Sequence, residues 1–265
     1  MPEIKAPYPP GTPCWVDLMA QDQRAAMDFY GDLFGWQGEV GPAEFGGYAM
    51  MTRNGHPVCG IGPAMAPEGA PPPPHVWTTY LSSDDADATA QRITTAGGTL
   101  MFPAMDVGTL GRMLVATDPT GAVFGVWGHK DFFGTTLVRE PGTLIWNECN
   151  TRDVETARRF YREALDLDTR PMEMEGTEVE GYFGLVAGGE TVGGMQDITG
   201  RFPDEVPPHW MAWFAADDTD STVDAAVKAN ATVVVPPADQ PYGRMAGLQD
   251  PWGAVFCILQ PRPMQ

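Results

Sequence analysis

Two acidic residues, Asp17 and Glu148, stand at matching places in two related stretches of the chain, each two residues after a tryptophan. A carboxyl group buried beside an indole ring acquires a raised pKa, which suits a general base working near neutral pH. Hydrogen bonds to nearby backbone, or to Arg112 and Arg244, would instead make both carboxylates structural. The sequence favours neither interpretation, so Asp17 and Glu148 are candidate general bases and candidate ligand contacts.

The histidines and cysteines form no recognisable catalytic set. His56 falls in a hairpin turn, and His75 and His209 follow proline runs, where surface or turn packing is expected. His129 follows the last strand of the first half and could reach a cleft, but no serine or cysteine nucleophile is paired with it. The four cysteines are far apart and lack a C-x-x-C spacing, which predicts free thiols in a reducing cytoplasm.

Composition limits the classes of partner. The 265 residues include 16 Lys+Arg and 35 Asp+Glu, for a formal net charge of −19. Such a surface repels nucleic acid and anionic lipid, and no apolar run is long enough to cross a bilayer. It would favour cationic small molecules, although solubility alone explains much excess acid. The N-terminal stretch lacks the basic start and apolar core of a signal peptide, so a cytoplasmic location is expected.

The elements that must position these residues come from an internal duplication. The segment GRMLVATDPTGAVFGVW (111–127) returns as GRMAGLQDPWGAVFCIL (243–259), with nine of seventeen positions identical. Further segments match at offsets of 131 to 134 residues, and the drift places length differences in loops. A period of this size predicts two similar domains, residues 1–132 and 133–265, with the stretch 128–142 as their connection.

Each copy alternates between helix and strand signals and contains two βαβββ modules. Because one such module has an open sheet edge and an uncovered apolar face, two of them are expected to pair into a curved sheet around a cleft. The elements predicted for the first copy are strand 13–19, a helix between Asp22 and Gly35, strands 36–41, 46–53 and 56–62, a proline-rich connection over 66–74, strand 76–83, helix 84–97 capped by Asp84, and strands 98–105, 110–117 and 121–127.

These features resemble the vicinal oxygen chelate superfamily, which includes glyoxalase I, extradiol dioxygenases and bleomycin resistance proteins. The resemblance is carried by the paired modules, by the helix pattern D-x-x-x-A-x-x-F/Y-Y and by D-P-x-G before the last strand, and it extends over residues 11–260. More narrowly, the chain resembles two-domain glyoxalase-like proteins of actinobacteria. The resemblance implies an α+β fold of tandem domains, each an open curved sheet around a cleft, but this fold hosts many activities.

Enzymes of that superfamily usually bind one divalent metal at inward positions of the first and last strands of each module. The resemblance implies four ligand positions in each domain. One of them falls in the glycine-rich strand VCGIG of the first domain and in VGGMQ of the second, and these strands offer neither carboxylate nor imidazole. Because a divalent metal needs oxygen or nitrogen donors or clustered thiolates, we expect no metal and no other cofactor. The remaining positions implied by the resemblance are Trp15, Thr78 and Gly125 in the first domain, and Trp146, Met211 and Cys257 in the second.

Strand alternation then predicts the lining of each cleft, because residues two apart on a strand share a face. The expected lining is rich in aromatic rings and thioethers with one carboxylate per domain, which suits a flat apolar ligand. Plain core packing is the alternative for any single Trp or Met. The expected ligand contacts are Trp15, Asp17, Thr78, Tyr80 and Trp127 in one cleft, and Trp146, Glu148, Met211, Trp213 and Cys257 in the other, with Gly125 and Leu259 beside them.

Two classes of function remain. The first is a metal-free binding protein of the bleomycin-resistance type that sequesters an aromatic metabolite, with or without an amine, in secondary metabolism or self-resistance. The alternative is a glyoxalase-like lyase or isomerase, or a polyketide-tailoring enzyme, with Asp17 or Glu148 as general base. Binding is preferred because the sequence contains no complete catalytic constellation. The expected partner is a small aromatic molecule and neither nucleic acid nor a membrane, and the chain is expected to be a monomer or a homodimer.

Overall fold

The structure is a computed structural model that describes residues 3–65, 73–174 and 177–262. The first half of the chain forms one seven-stranded sheet with two α-helices and a short 3-10 helix, Ala43–Phe45. The elements are β1 (Pro13–Ala20), α1 (Gln23–Phe34), β2 (Ala49–Arg53), β3 (His56–Pro63), β4 (Trp77–Ser83), α2 (Ala86–Thr95), β5 (Thr99–Val107), β6 (Gly111–Thr117) and β7 (Val123–His129).

The second half forms an eight-stranded sheet with two helices. Its elements are β8 (Leu144–Thr151), α3 (Val154–Leu165), β9 (Asp168–Met174), β10 (Thr177–Ala187), β11 (Glu190–Asp197), β12 (His209–Ala215), α4 (Thr219–Lys228), β13 (Thr232–Gln240), β14 (Gly243–Gln249) and β15 (Val255–Pro261).

Both sheets are built from two modules that meet at a central antiparallel pair. The strand orders are β2-β3-β1-β4-β7-β6-β5 and β13-β14-β15-β12-β8-β11-β10-β9, so β1 lies beside β4 and β8 beside β12. In every module the first strand also pairs in parallel with the last. Neither sheet closes on itself, and the predicted α+β fold of tandem open sheets is confirmed. The domain boundary between residues 132 and 133 stays a prediction.

The helices begin where aspartate side chains satisfy free backbone N–H groups. Asp22 accepts a hydrogen bond from the N–H of Ala25 at 3.0 Å, and Gly35 ends α1 with a φ of 71°, as the sequence predicts. For α2 the predicted cap, Asp84, is wrong by one residue, because Asp85 accepts from the N–H of Ala88. Among the described residues, none of the helices combines the length and apolarity that spanning a membrane requires.

The predicted strand over 36–41 is wrong. Trp36 is buried and its Nε1–H donates to the carbonyl oxygen of Gly142 at 2.6 Å, which turns this stretch away from a sheet and into the core. Only Gln37 keeps a bridge, to Thr52. The corresponding stretch of the second half does form a strand, β9, so the second sheet has one more strand than the first.

The helix-bearing faces of the two sheets share their cores across the duplication. In one cluster, Phe34 of α1 packs against Phe214 and Phe256 of the second half. In another, Phe124 of the first half packs against Phe160 and Tyr161 of α3. Each half therefore buries its apolar face against the other, and the opposite faces of the sheets are left for the clefts.

The aspartates of the repeated D-P-x-G motif tie the two halves together. The hydroxyl of Tyr161 donates to Asp118 Oδ2 at 2.9 Å, and the hydroxyl of Tyr30 donates to Asp250 Oδ2 at 2.9 Å. The other oxygen of each aspartate accepts backbone N–H groups of its own turn, so both carboxylates are well satisfied. Asp250 accepts one further contact, from His75 Nε2 at 2.8 Å. The repeated motif therefore serves the contact between the halves.

Candidate functional site

The predicted residues lie on the face of each sheet opposite its helices, and strand register brings them together there. In the first sheet Trp15 lies opposite Tyr80 and Asp17 lies opposite Thr78. We call this site cleft one; it comprises Trp15, Asp17, Tyr48, Tyr80 and Trp127.

The second sheet repeats the arrangement. Trp146 lies opposite Trp213, and Glu148 lies opposite Met211. Cys257 pairs with Trp213 from the neighbouring parallel strand. We call this site cleft two; it comprises Trp146, Glu148, Tyr182, Trp213 and Leu259.

A chain of hydrogen bonds links tryptophan, tyrosine and carboxylate in cleft one. Trp15 Nε1–H donates to the hydroxyl oxygen of Tyr48 at 2.9 Å, and that hydroxyl donates to Asp17 Oδ2 at 3.2 Å. Asp17 is only 3% exposed, and burial raises its pKa to about 7, while the neighbouring hydroxyls of Tyr80 and Tyr48 act in the opposite direction. Asp17 Oδ1 has no hydrogen-bond partner among the described residues.

The same chain recurs in cleft two. Trp146 Nε1–H donates to the hydroxyl oxygen of Tyr182 at 3.0 Å, which donates to Glu148 Oε2 at 2.7 Å. Burial raises the pKa of Glu148, while hydrogen bonds from Tyr182 and Asn150 act in the opposite direction. The two predicted carboxylates therefore have tyrosine partners, and the expected alternatives of backbone or arginine partners are wrong.

The glycines of β3 and β11 make room for these tyrosines. A Cβ atom on Gly60 would stand 1.7 Å from the hydroxyl oxygen of Tyr48, and one on Gly194 would stand 2.2 Å from that of Tyr182. Both distances are far below contact, so the side-chain space on these strands belongs to the tyrosines. In place of a charged donor, each cleft has a phenol that already donates to its carboxylate.

This chemistry does not fit a divalent metal. Each cleft offers one carboxylate and a neutral phenol, whereas a resident Zn, Mn or Fe ion needs several oxygen, nitrogen or thiolate donors converging on one point. Burial raises the pKa of Tyr48, Tyr182 and Cys257 well above the ordinary values, so none of them offers an anionic donor. Across residues 3–65, 73–174 and 177–262, no three His, Cys, Asp or Glu side chains come together.

The sequence analysis did not predict Tyr48 and Tyr182, the tyrosines of the two hydrogen-bonded chains. Both follow a glycine, in Gly47-Tyr48 and Gly181-Tyr182, at an offset of 134 residues. The glycine-rich strands VCGIG and VGGMQ repeat at the same offset. Extending that match by a few residues toward the N-terminus would have found the pair, although not its hydrogen bonds.

Cleft one is filled by the chain itself. The ring of Phe132 stands edge-on to Trp15, with centroids 4.9 Å apart and an interplanar angle of 89°, and 5.9 Å from Trp127. Trp127 Nε1–H donates to the carbonyl oxygen of Phe132 at 2.7 Å. Trp15, Tyr80 and Trp127 are all buried, so cleft one is a closed aromatic cluster.

Cleft two contains a cavity of about 310 Å³. Leu259 stands where the first sheet has the larger Trp127, and the additional strand β9 forms a wall. The described residues that line the cavity include two glutamates and no Lys, Arg or His. They are Ile145, Trp146, Glu148, Met172, Glu173, Tyr182, Trp213, Tyr242 and Leu259.

The arginines of the repeated Gly-Arg-Met lie away from both clefts. Arg112 pairs with Asp87 on α2 and with Asp106, and Arg244 pairs in the same way with Asp220 on α4. Both arginines therefore brace a hairpin against the neighbouring helix through surface carboxylates.

Among the described residues, no histidine is a direct hydrogen-bond partner of the tryptophan–tyrosine–carboxylate chains. Of the two alternatives predicted for His75, surface or turn packing, the surface position is wrong, because the residue is 8% exposed and contacts Asp250 between the two halves. His209 is half-buried, with Nδ1 2.8 Å from the carbonyl oxygen of Pro207 in a turn, and burial lowers its pKa. All four cysteines are buried free thiols.

Comparison with known proteins identifies relatives along the whole chain. A family model described as the glyoxalase/bleomycin resistance protein/dioxygenase superfamily matches twice, over residues 14–126 and 143–258. A Mycobacterium tuberculosis protein that carries a glyoxylase name, CFP32, is 44% identical, with 98% of this chain and 99% of the relative covered. The anthracycline biosynthesis protein DnrV of Streptomyces peucetius is 38% identical, with 96% and 95% covered.

Solved structures show the same fold at low identity. The Mn(II)-bound glyoxalase from Novosphingobium aromaticivorans is similar with a TM-score of 0.63 and 14% identity, covering 95% of this chain and 82% of that one. The 2,3-dioxygenase LapB from Pseudomonas sp. KL28 is similar with a TM-score of 0.64 and 13% identity, covering 96% and 93%. At these identities the likeness concerns the fold alone.

Proposed function

Because this chain belongs to the glyoxalase/bleomycin resistance protein/dioxygenase superfamily, we propose that it binds a planar aromatic small molecule in cleft two without a catalytic metal. The observation that carries the proposal is the cavity of about 310 Å³ lined by Trp146, Trp213 and Tyr242. Small-molecule sites are concave, mostly apolar and fitted with a few polar groups, and this cavity has that composition.

The lining also indicates which polar group the ligand carries. Glu148 and Glu173 are both acidic, and no cationic side chain stands among the described lining residues. An amine or another hydrogen-bond donor is therefore favoured over a carboxylate or a phosphate. The net charge of −19 acts in the same direction, because it attracts cations to the surface.

The energies of these contacts are sufficient for useful affinity. Each aromatic pair contributes about 0.5–1.5 kcal/mol beyond area burial, and a hydrogen bond to a charged group contributes about 1.5–3 kcal/mol. Micromolar binding requires only about −8 kcal/mol. Burial of a ring system between the two tryptophans supplies the remainder.

A role in secondary metabolism is part of the proposal. The relative in Streptomyces peucetius is named for anthracycline biosynthesis, and it covers nearly the whole of this chain. We therefore favour an aromatic metabolite as ligand, which the protein sequesters or presents, as bleomycin-resistance proteins do. The partner is then a small molecule and neither a nucleic acid nor a membrane.

Titration of intrinsic tryptophan fluorescence tests the proposal. A panel of planar polycyclic aromatics, each with and without an amine, is added to wild type, to Trp146→Phe and to the matched variant Trp15→Phe. We expect saturable quenching well below about 1 mM in wild type and in Trp15→Phe. The quenching amplitude should fall in Trp146→Phe. Absence of quenching in wild type by every member of the panel would refute binding.

The raised pKa of Glu148 beside a cavity supports a second candidate, a metal-independent lyase, isomerase or tailoring enzyme with Glu148 as general base. Tyr182 would hold the carboxylate at 2.7 Å and orient it toward the substrate. Turnover of an aromatic ligand by wild type, lost in Glu148→Gln while binding is retained, would establish this function. Binding without turnover in both proteins would leave the binding function alone.

A further inference from the structure

Asn150 and His209 stand beside Glu148 on the open face of the second sheet. They lie opposite one another in the antiparallel pair of β8 and β12, and Asn150 is two residues from Glu148 on the same face. Asn150 is 1% exposed, and its Nδ2 lies 3.5 Å from His209 Nε2. The matching residues of the first half are Met19 and Val76, at offsets of 131 and 133. Of the two copies, only the second therefore has a polar pair at this place.

His209 accepts a hydrogen bond at Nε2 because its other ring nitrogen carries the proton. Nδ1 lies 2.8 Å from the carbonyl oxygen of Pro207, which can only accept. In a neutral imidazole Nε2 is then the acceptor, and the Asn150 amide donates to it. Burial lowers the pKa of His209 and the charge of Arg152 acts in the same direction, against the hydrogen bond to Pro207, so the ring is neutral near pH 7.

The second N–H of the Asn150 amide serves Glu148. Burial raises the pKa of Glu148, and the hydrogen bond from Asn150 opposes that rise. Asn150 Oδ1 is buried and has no partner among the described residues, which agrees with an amide whose two N–H groups are both in use. If the amide turned over, Oδ1 would face the carboxylate and the lone pair of His209 Nε2, and both contacts would become repulsive. The orientation of the amide therefore depends on His209.

We propose that His209 is a positioning residue for cleft two: its ring holds the Asn150 amide with an N–H on Glu148, which favours the ionised form of this carboxyl. The inference rests on the function proposed above, in which Glu148 meets the amine of an aromatic ligand. His209 is not among the described residues that line the cavity, so it acts on Glu148 through Asn150.

Other titratable groups face Glu148 from the neighbouring strands. Tyr182 on β10 donates to Glu148 at 2.7 Å. Burial, and then the charge of Glu148, raises the pKa of Cys257 on β15 and of Tyr242 between β13 and β14, so both stay protonated while a carboxyl titrates. Glu173 on β9 lines the same cavity, and its like charge disfavours ionisation of Glu148. The ionised form of Glu148 therefore depends on the hydrogen-bond donors around it.

Carbon-detected NMR of the Glu148 carboxyl, titrated with pH in the ligand-free protein, tests the proposal. The signal is assigned by its loss in Glu148→Gln. Asn150→Leu and His209→Phe should each raise the titration midpoint by about one pH unit, because a hydrogen bond to the ionised form is lost. The double variant should shift no further than either single variant, since both changes remove the same bond. His209→Gln keeps an acceptor near the place of Nε2 and should titrate as wild type does.

The control is His56→Phe, a change of a histidine in the first sheet, which should leave the midpoint of Glu148 unchanged. An unchanged midpoint in a folded His209→Phe protein would overturn the proposal. So would a rise in His209→Gln equal to that in His209→Phe, because the acceptor would then be irrelevant.

Nitrogen NMR shifts of the His209 ring in wild type decide the matter where His209→Phe does not fold. We expect the neutral ring to carry its proton on Nδ1. A neutral ring protonated on Nε2 contradicts the proposal, because Asn150 could not then donate to it. Failure of the function proposed for cleft two is distinguishable, since these measurements need no ligand and that failure appears as absent fluorescence quenching.

Discussion

Cleft one and cleft two share a hydrogen-bonded tryptophan, tyrosine and carboxylate, but they differ in what fills the space in front of them. In cleft one the Phe132 ring contacts Trp15 and the site is closed. In cleft two Leu259 replaces a tryptophan, and a cavity of about 310 Å³ remains. A few side chains therefore help to decide whether each copy of a duplicated domain retains a binding site.

The additional strand of the second sheet contributes to the same difference. Met172 and Glu173 of β9 line the cavity of cleft two, whereas the matching stretch of the first half is drawn into the core by Trp36. With Trp36 buried, the first half has no strand that corresponds to β9, and its cleft lacks that wall. The comparison predicts that substitutions in cleft one change mainly stability, and that substitutions in cleft two change mainly ligand binding.

The largest expected effect concerns the pH dependence of stability in cleft one. Burial raises the pKa of Asp17 from 3.8 to about 7. The folded protein then keeps a proton that the unfolded chain releases, so this stabilisation is complete below about pH 4 and is lost as the pH rises to about 7. Relative to its difference from wild type at pH 4, Asp17→Asn should therefore gain up to about 4 kcal/mol in the free energy of unfolding at pH 8.

Urea unfolding at pH 4 and at pH 8 measures this effect, with the exposed Asp28→Asn as control. Glu148→Gln should change the slope with the same sign, since burial also raises the pKa of Glu148. An Asp17→Asn protein that loses stability with pH as steeply as wild type would show that Asp17 ionises freely in the fold.

The next-largest effect is on ligand affinity, and it should distinguish Glu148 from Asp17. Glu148→Gln should lower the affinity for an aromatic amine by about 10- to 100-fold, the equivalent of about 1.5–3 kcal/mol, and leave its neutral analogue unchanged. Asp17→Asn should leave both affinities unchanged, because cleft one is closed. Wild-type affinity for the amine should rise with pH as Glu148 ionises. Equal losses in both variants, measured by calorimetry, would contradict the assignment of the open site to cleft two.

A third prediction compares the two halves of the contact between the sheets. Tyr161→Phe leaves Asp118 Oδ2 without its donor, whereas Tyr30→Phe leaves Asp250 Oδ2 still in contact with His75. We expect Tyr161→Phe to cost about 1–3 kcal/mol of stability and Tyr30→Phe to cost less. Thermal and urea unfolding of the two variants measure the difference. The reverse order would show that His75 does not substitute for the tyrosine.

The smallest effect is that of salt on association. The acidic surface should speed the encounter with an aromatic amine, and rising ionic strength should slow it while dissociation stays constant. The neutral analogue should show no such dependence in stopped-flow fluorescence. If both ligands respond alike, the surface charge has no part in recognition.

Local signals in the sequence were enough to predict most of the elements. Helix α1 begins after Asp22 and ends at Gly35, as predicted, because helix capping depends on residues only a few positions apart. The strand at 36–41 failed because the bond from Trp36 to Gly142 joins residues 106 positions apart. No local pattern contains a contact of that range.

For the clefts, the sequence and the resemblance predicted which residues share a face, but not whether the space in front of them is open. Trp15 and Asp17 were predicted to share one face, and Trp146 and Glu148 another, in agreement with the strand register. Neither the sequence nor the resemblance indicated that Phe132 fills one cleft, since a ring from outside the strands leaves no periodic signal.

The most direct test of the central claim is a crystal structure of the protein with the polycyclic amine that quenches most strongly. We predict density for one ligand in cleft two, with its ring against Trp146 and Trp213 and its amine within hydrogen-bond distance of Glu148, while Phe132 remains on Trp15. Ligand density confined to cleft one, or placed outside both clefts, would contradict this account.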